Sequence, residues 1–163
     1  MEEAMISANV FWRTIICGFL ATFVMTMIAF LLGGLGLPVN DIGHFLTESF
    51  NQAHEYDPYT LLMGNTAYYL FGIILALIWV VFLQQRIPGN RAVQGLIYGV
   101  IISIVAAFIV SPLVSLSAGE PFGIFYLQTW VPGSVLLAGL IIHLGYGLTL
   151  TLCLKYAGVD SID

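Results

Sequence analysis

Residues 59–110 read YTLLMGNTAYYLFGIILALIWVVFLQQRIPGNRAVQGLIYGVIISIVAAFIV. Two apolar runs lie on either side of a short polar turn, and that arrangement decides the fold. Each run exceeds the roughly 18 to 20 residues a helix needs to cross hydrocarbon. Pro88, Gly89 and Asn90 mark the turn, and Arg86 and Arg91 flank it. No Asp, Glu, Lys or Arg falls inside either run. In lipid the backbone has to satisfy its own hydrogen bonds, so runs of this length are helices rather than isolated strands.

Two more runs of the same kind lie outward from this hairpin. Four spans are predicted, over residues 10–37, 58–84, 92–112 and 131–155. The first ends in Gly33, Gly34, Gly36 and Pro38. The second starts with Asp57 as N-cap and Pro58 in the first turn. The third is interrupted or kinked at Ser111-Pro112, and the fourth opens at Trp130-Val131-Pro132 and closes near Lys155. The composition agrees: the 163 residues are 60% hydrophobic and 8% charged, against about 25% charged in soluble domains. The predicted fold is therefore all-α, a single-domain integral membrane bundle of four transmembrane helices. The N-terminus has no basic n-region and the first run is too long for a signal-peptide core, so it is read as retained.

Arg13, Arg86, Arg91 and Lys155 are the only Lys or Arg residues. With four crossings they share one side, and the positive-inside rule places that side, with both termini, in the cytoplasm. The expected location is a bacterial inner membrane. Glu2, Glu3, Asp160 and Asp163 balance the basic residues on that side. Asp41, Glu48, Glu55, Asp57 and Glu120 lie on the other, so the whole net charge of −5 falls on the outer face. A charge of this sign argues against nucleic acid as a partner.

The first outer connection, residues 39–57, reads as a short amphipathic helix on the membrane surface. Ile42, Phe45, Leu46, Phe50 and Ala53 form its apolar sector, and His44, Glu48, Asn51 and Glu55 the polar one. His44, Glu48 and Glu55 at helical spacing invite a metal; the preferred reading is a solvated polar face carrying an i,i+4 His/Glu pair, and no metal site is assigned. The second connection, residues 116–131, gathers Pro121, Phe122, Phe125, Tyr126 and Trp130. These are an interfacial aromatic belt or a contact surface for another subunit.

No Asp, Glu, Lys or Arg lies in the apolar interior of a span, and His143 is the exception to weigh. It sits midway along the fourth run on a stripe of Gly139, His143, Gly147 and Thr151. The glycines leave a groove, for a closely packed helix or for a flat ligand. Thr22, Thr26, Gly72 and Ser103 lie at similar depth, so the plain expectation is a neutral His tied to a hydroxyl on another helix. The sharper one is an axial ligand to haem iron or to the magnesium of a chlorin. Small residues mark further close-packing faces: Gly95, Gly99 and Ser103; Gly64, Gly72 and Ala76; Gly18, Thr22 and Thr26. Asn65, Thr66, Tyr68 and Tyr69 cluster toward the outer end of the second span. Cys17 and Cys153 show no CxxC or metal spacing and read as small apolar core residues.

The strings Gly18-Phe-Leu-Ala-Thr-Phe-Val-Met-Thr and Gly36-Leu-Pro-Val-Asn-Asp-Ile-Gly resemble the start of a family of small bacterial four-helix membrane proteins of unknown function. Pro88-Gly89 before Gly95-Leu-Ile-Tyr-Gly99 is similar to its middle, and His143-Leu-Gly-Tyr-Gly147 to its end. The resemblance implies a four-helix membrane fold and carries no activity. Family members often have a His-Phe-like pair in the second span, where this chain has Asn65 and Tyr68.

No Ser/His/Asp set, paired carboxylate or metal-ligand spacing is present, so an enzyme is not expected. The absence of charge inside the spans argues against ion pumps and proton-coupled carriers. The expected function is an accessory subunit of a larger respiratory or photosynthetic electron-transfer complex. It would pack against other integral membrane subunits and lipid through small-residue faces (Gly95, Gly99) and its outer surface (Glu48, Glu55, Phe122, Phe125, Trp130). A basic c-type cytochrome suits the acidic face. The alternatives are a haem- or pigment-binding subunit using His143, or a small permease or channel component. No cofactor is required by the sequence.

Overall fold

The structure, a computed structural model, describes residues 7–37, 39, 42–54, 59–119 and 133–159, and every element among them is helical. Helix α1 spans Ala8–Gly34, α2 Ile42–His54, α3 Thr60–Ile78, α4 Arg91–Val105, α5 Ser111–Ser117 and α6 Gly133–Tyr156. Short π-helical segments extend α3 (Trp79–Leu83) and join α4 to α5 (Ala106–Val110). Four continuous helices result, Ala8–Gly34, Thr60–Leu83, Arg91–Val114 and Gly133–Tyr156, all long and apolar enough to cross a membrane.

Ser111-Pro112 does not interrupt the third helix. Proline cannot donate to the ladder, and its ring crowds the carbonyl four residues back. A wide turn absorbs it: the Ser111 N–H reaches five residues back to the Ala106 carbonyl, the bonding of a π-bulge. Asp57 and Pro58 lie outside the described residues. Helix α3 starts after Tyr59, whose side chain makes no cap.

Helix ends are satisfied at one end of the bundle by the basic residues. Ser7 Oγ accepts from the Val10 amide at 3.3 Å and Asn90 Oδ1 from the Val93 amide at 3.0 Å, starting α1 and α4. Gly158 ends α6 with φ of 71°. Its amide donates to the Lys155 carbonyl at 3.0 Å and the Val159 amide to Leu154 at 2.9 Å, the pairing of a Schellman cap. The Arg13 guanidinium donates to the Ala157 carbonyl and that of Arg91 to the Val159 carbonyl at 3.2 Å. Arg86 donates to Phe82 at 3.0 Å. The helix dipole makes C-terminal carbonyls the favourable place for cations, so these three arginines each close a helix C-terminus. This is called the basic end below; the end roofed by α2 is the acidic end.

Around the bundle the order is α3, α1, α6, α4, each helix lying on the next. Backbones meet at glycine. A Cβ on Gly99 would lie 2.7 Å from the His143 carbonyl oxygen and 2.7 Å from Leu144 Cα; one on Gly95 would lie 2.6 Å from the Gly147 carbonyl. Gly18 fits against Ala76 and Ile73, and Gly72 against Thr22. The structure thus assigns Gly95 and Gly99 to the α4–α6 contact inside the chain rather than to a neighbouring subunit. Cys17 and Cys153 are not separate core residues: they form a disulfide joining α1 to α6, with Cα atoms 5.6 Å apart.

Two halves differ in packing. In the basic half Trp79, Tyr98, Tyr146, Leu150, Leu154 and Val159 are fully buried. Between α3 and α4 that half is bridged by the Tyr98 hydroxyl on the Leu75 carbonyl and by the Trp79–Tyr98 ring contact. The two helices share a turn but make no extended contact along their bodies.

Candidate functional site

The acidic half holds a cavity of about 1060 Å³, with His143 among its lining residues. Two tyrosines set its floor. Tyr98 on α4 donates to the Leu75 carbonyl at 2.7 Å, and Tyr146 on α6 donates to the Gly72 carbonyl at 2.6 Å. Both tie α3 across the bundle, and Trp79 fills the space beneath, its ring 4.8 Å from that of Tyr98. Above this level Met25, Tyr68, Ile102 and Ile142 line the cavity.

Helix α2 forms the roof. Val39, Gly43 and Leu46 line the cavity from above. Thr47 lies so close to Gly64 that a Cβ there would be 2.6 Å from the Thr47 amide nitrogen. Ser49 and Ser117 hydroxyls, 2.7 Å apart, tie α2 to α5. The amphipathic helix expected on the membrane surface therefore packs on the bundle itself, against α3 and α5.

The walls are apolar and partly open. Phe71 on α3 and Ile104 and Phe108 on the α4 side all line the cavity and remain exposed. Phe30 on α1 and Leu136 on α6 are likewise both lining and exposed. The π-helical turn at Ala106–Val110 lies in the wall, contributing Ala106, Ala107, Phe108 and Val110. π-Bulges recur at functional sites because they displace side chains that a regular helix would align.

His143 does not bond a hydroxyl of another helix. Its Nδ1 lies 2.7 Å from the Gly139 carbonyl of its own helix. Thr22 and Thr26 turn their hydroxyls onto their own backbone as well, to Gly18 at 2.8 Å and to Thr22 at 2.9 Å. A carbonyl oxygen can only accept, so Nδ1 carries the proton and Nε2 of the neutral ring is an acceptor. Nε2 has no partner among the described residues. The glycine stripe through His143 is split: Gly147 presses on the Gly95 carbonyl of α4, whereas a Cβ on Gly139 would meet nothing within 4 Å.

Of the polar cluster expected on α3, Asn65, Tyr68 and Tyr69 line the cavity and Thr66 does not. Glu48 is half-buried and accepts from Asn51 Nδ2 at 3.1 Å. Glu55, Phe122, Phe125 and Trp130 lie outside the described residues. Among those described, no group of three potential metal ligands occurs. Reasoning from sequence missed Phe30, Phe71, Ile104 and Phe108 as lining. Pro112 was the available signal, since a proline within a helical run forces a distortion nearby. No family model, curated protein or solved structure matches the chain.

Proposed function

We propose that this protein is a four-span inner-membrane protein whose hollow half holds a lipophilic molecule, and that it serves as an accessory subunit of a larger electron-transfer complex. The observation that carries the first part is the cavity: a deep apolar space, walled by helices of transmembrane length, bordered by the imidazole of His143 and open between helices. Ligand sites are characteristically concave and apolar with a few placed polar groups. Openings flanked by exposed Phe71, Ile104 and Phe108 would face acyl chains, so a lipophile enters from the bilayer without crossing water.

Membrane location rests on the four helices and the low charge of the chain. Orientation with both termini in the cytoplasm rests on the one-sided Lys and Arg. The accessory role rests on the sequence, which presents no catalytic constellation and places its net charge at the acidic end, where a basic c-type cytochrome can be steered. A haem or chlorin at His143 is the second reading, favoured by the free Nε2, which is the metal-binding nitrogen once Nδ1 donates to a carbonyl.

Native mass spectrometry and an absorption spectrum of protein released gently from its own membrane test this. The expected result is a large assembly that retains a small hydrophobic molecule. A lone, ligand-free chain would sink the proposal. A Soret or chlorin band lost in His143→Ala would establish the second reading.

A further inference from the structure

The polar groups around the cavity narrow the chemistry of its occupant. We propose that the ligand is a neutral lipophile bearing a ring hydroxyl, of the isoprenoid quinol class, with that hydroxyl donating to Nε2 of His143. This rests on the reading that the cavity holds a lipophilic molecule.

Three observations argue for it. The first is the absence of charge: among the described residues no Lys, Arg, Asp or Glu lines the cavity. A phosphate head group or a haem propionate would enter without a counter-charge, and burying an unpaired charge is strongly unfavourable. The head group is therefore uncharged. The second is the direction of the hydrogen bond on offer. Nδ1 is committed to the Gly139 carbonyl, so neutral His143 presents only an acceptor. A quinone carbonyl would set acceptor against acceptor, whereas a quinol hydroxyl donates. The third is Ser103. It lines the cavity on α4, one turn beyond the Gly99 that packs on the His143 carbonyl, and its hydroxyl has no partner among the described residues. A serine can give and take, so it can donate to the same ligand oxygen that donates to His143. Asn65, nearer the roof, has its Nδ2 on the Leu61 carbonyl at 2.8 Å and so offers its Oδ1 as a further acceptor. The gap flanked by Phe71, Ile104 and Phe108 gives an isoprenoid tail an apolar exit.

The test uses the full chain with 15N-labelled histidine in phosphatidylcholine nanodiscs, titrated under argon with decylubiquinol, decylubiquinone or the bis-O-methyl ether of the quinol. The quinol should bind about tenfold more tightly than the other two, the worth of one good hydrogen bond, and should shift the His143 Nε2 resonance. His143→Ala should bring quinol affinity down to that of the ether. Gly139→Leu, which places a side chain into open space, should abolish binding of all three. Equal binding of the three compounds with an unmoved Nε2 resonance overturns the hydroxyl inference and leaves lipophile binding standing. No binding of any compound overturns both. An absorption band in the purified protein that depends on His143 overturns the quinol assignment in favour of a metal.

Discussion

The two halves of the bundle are made of the same residue types and pack differently. In the basic half every glycine of the helix interfaces is filled by a neighbour: Gly18 by Ala76, Gly72 by Thr22, Gly95 and Gly99 by α6 backbone. In the acidic half Thr47 of the roof closes Gly64, but a Cβ on Gly33, Gly34 or Gly139 meets nothing within 4 Å. Glycine permits close approach and does not cause it. What closes the basic half is the set of three aromatic residues Trp79, Tyr98 and Tyr146 with the hydrogen bonds that hold α3. Beyond them the space between the helices is the cavity. Stability is thereby concentrated at one end and volume at the other.

The largest effect expected on this contrast is Gly147→Leu. The atoms it meets are the Gly95 carbonyl and the Gly99 backbone, which cannot rotate away. Overpacking at yielding sites costs about 1–3 kcal/mol, and this site does not yield. We expect loss of the folded, monodisperse protein on size exclusion in mild detergent. A variant that elutes and melts like the parent would show that the α4–α6 contact is looser than described.

The disulfide is the second lever. It joins residues 136 apart in sequence within the packed half. Removing such a link costs about 2–4 kcal/mol where the unfolded chain is free. Apolar helices of this length persist in detergent and lose less freedom, so Cys17→Ala with Cys153→Ala should lower stability by about 2 kcal/mol, read as a shift in thermal melting. Ligand affinity should be unchanged, because both residues lie below the tyrosine floor. A coupled loss of binding would mean that the two halves are not independent.

Tyr146→Phe probes the floor itself. The Gly72 carbonyl keeps its place in the α3 ladder, so only the added bond is lost, worth about 1 kcal/mol. The melting temperature should fall by a few degrees, and Tyr98→Phe should act alike on Leu75. A larger fall would mean that the hydroxyls hold α3 in position rather than merely adding to its packing.

How much of this was legible in the sequence follows from the range of each interaction. The four helices and the turn at Pro88-Gly89-Asn90 depend on neighbours in sequence, and the apolar runs and turn residues display them. The outer helix was equally visible, as alternating sectors over residues 42–54. Its seat on Gly64 was not, because that contact joins separate segments. His143 was found by depth alone. Depth suggested hydroxyls on other helices as partners, whereas the bond is made four residues away to Gly139, a local geometry that Ser, Thr and His all use within helices. The Cys17–Cys153 pair and the cavity are properties of the space between helices. No periodicity along one helix tells whether Gly95 or Gly139 has a partner opposite.

That last pair gives the smallest expected effect on the fold and the clearest discrimination. Gly95 and Gly139 are both helical glycines among apolar neighbours, and sequence treats them alike. Gly139→Leu adds a side chain where nothing stands within 4 Å and removes a glycine penalty of about 0.8–1.0 kcal/mol from a helix interior. Its melting temperature should match or slightly exceed that of the parent, while the same substitution at Gly95 drives a side chain into the Gly147 carbonyl. If Gly139→Leu instead unfolds the protein, the acidic half is not hollow, and the lipophile site falls with it. If it folds, and only ligand binding is lost, the glycine is there to keep a volume open rather than to let helices meet.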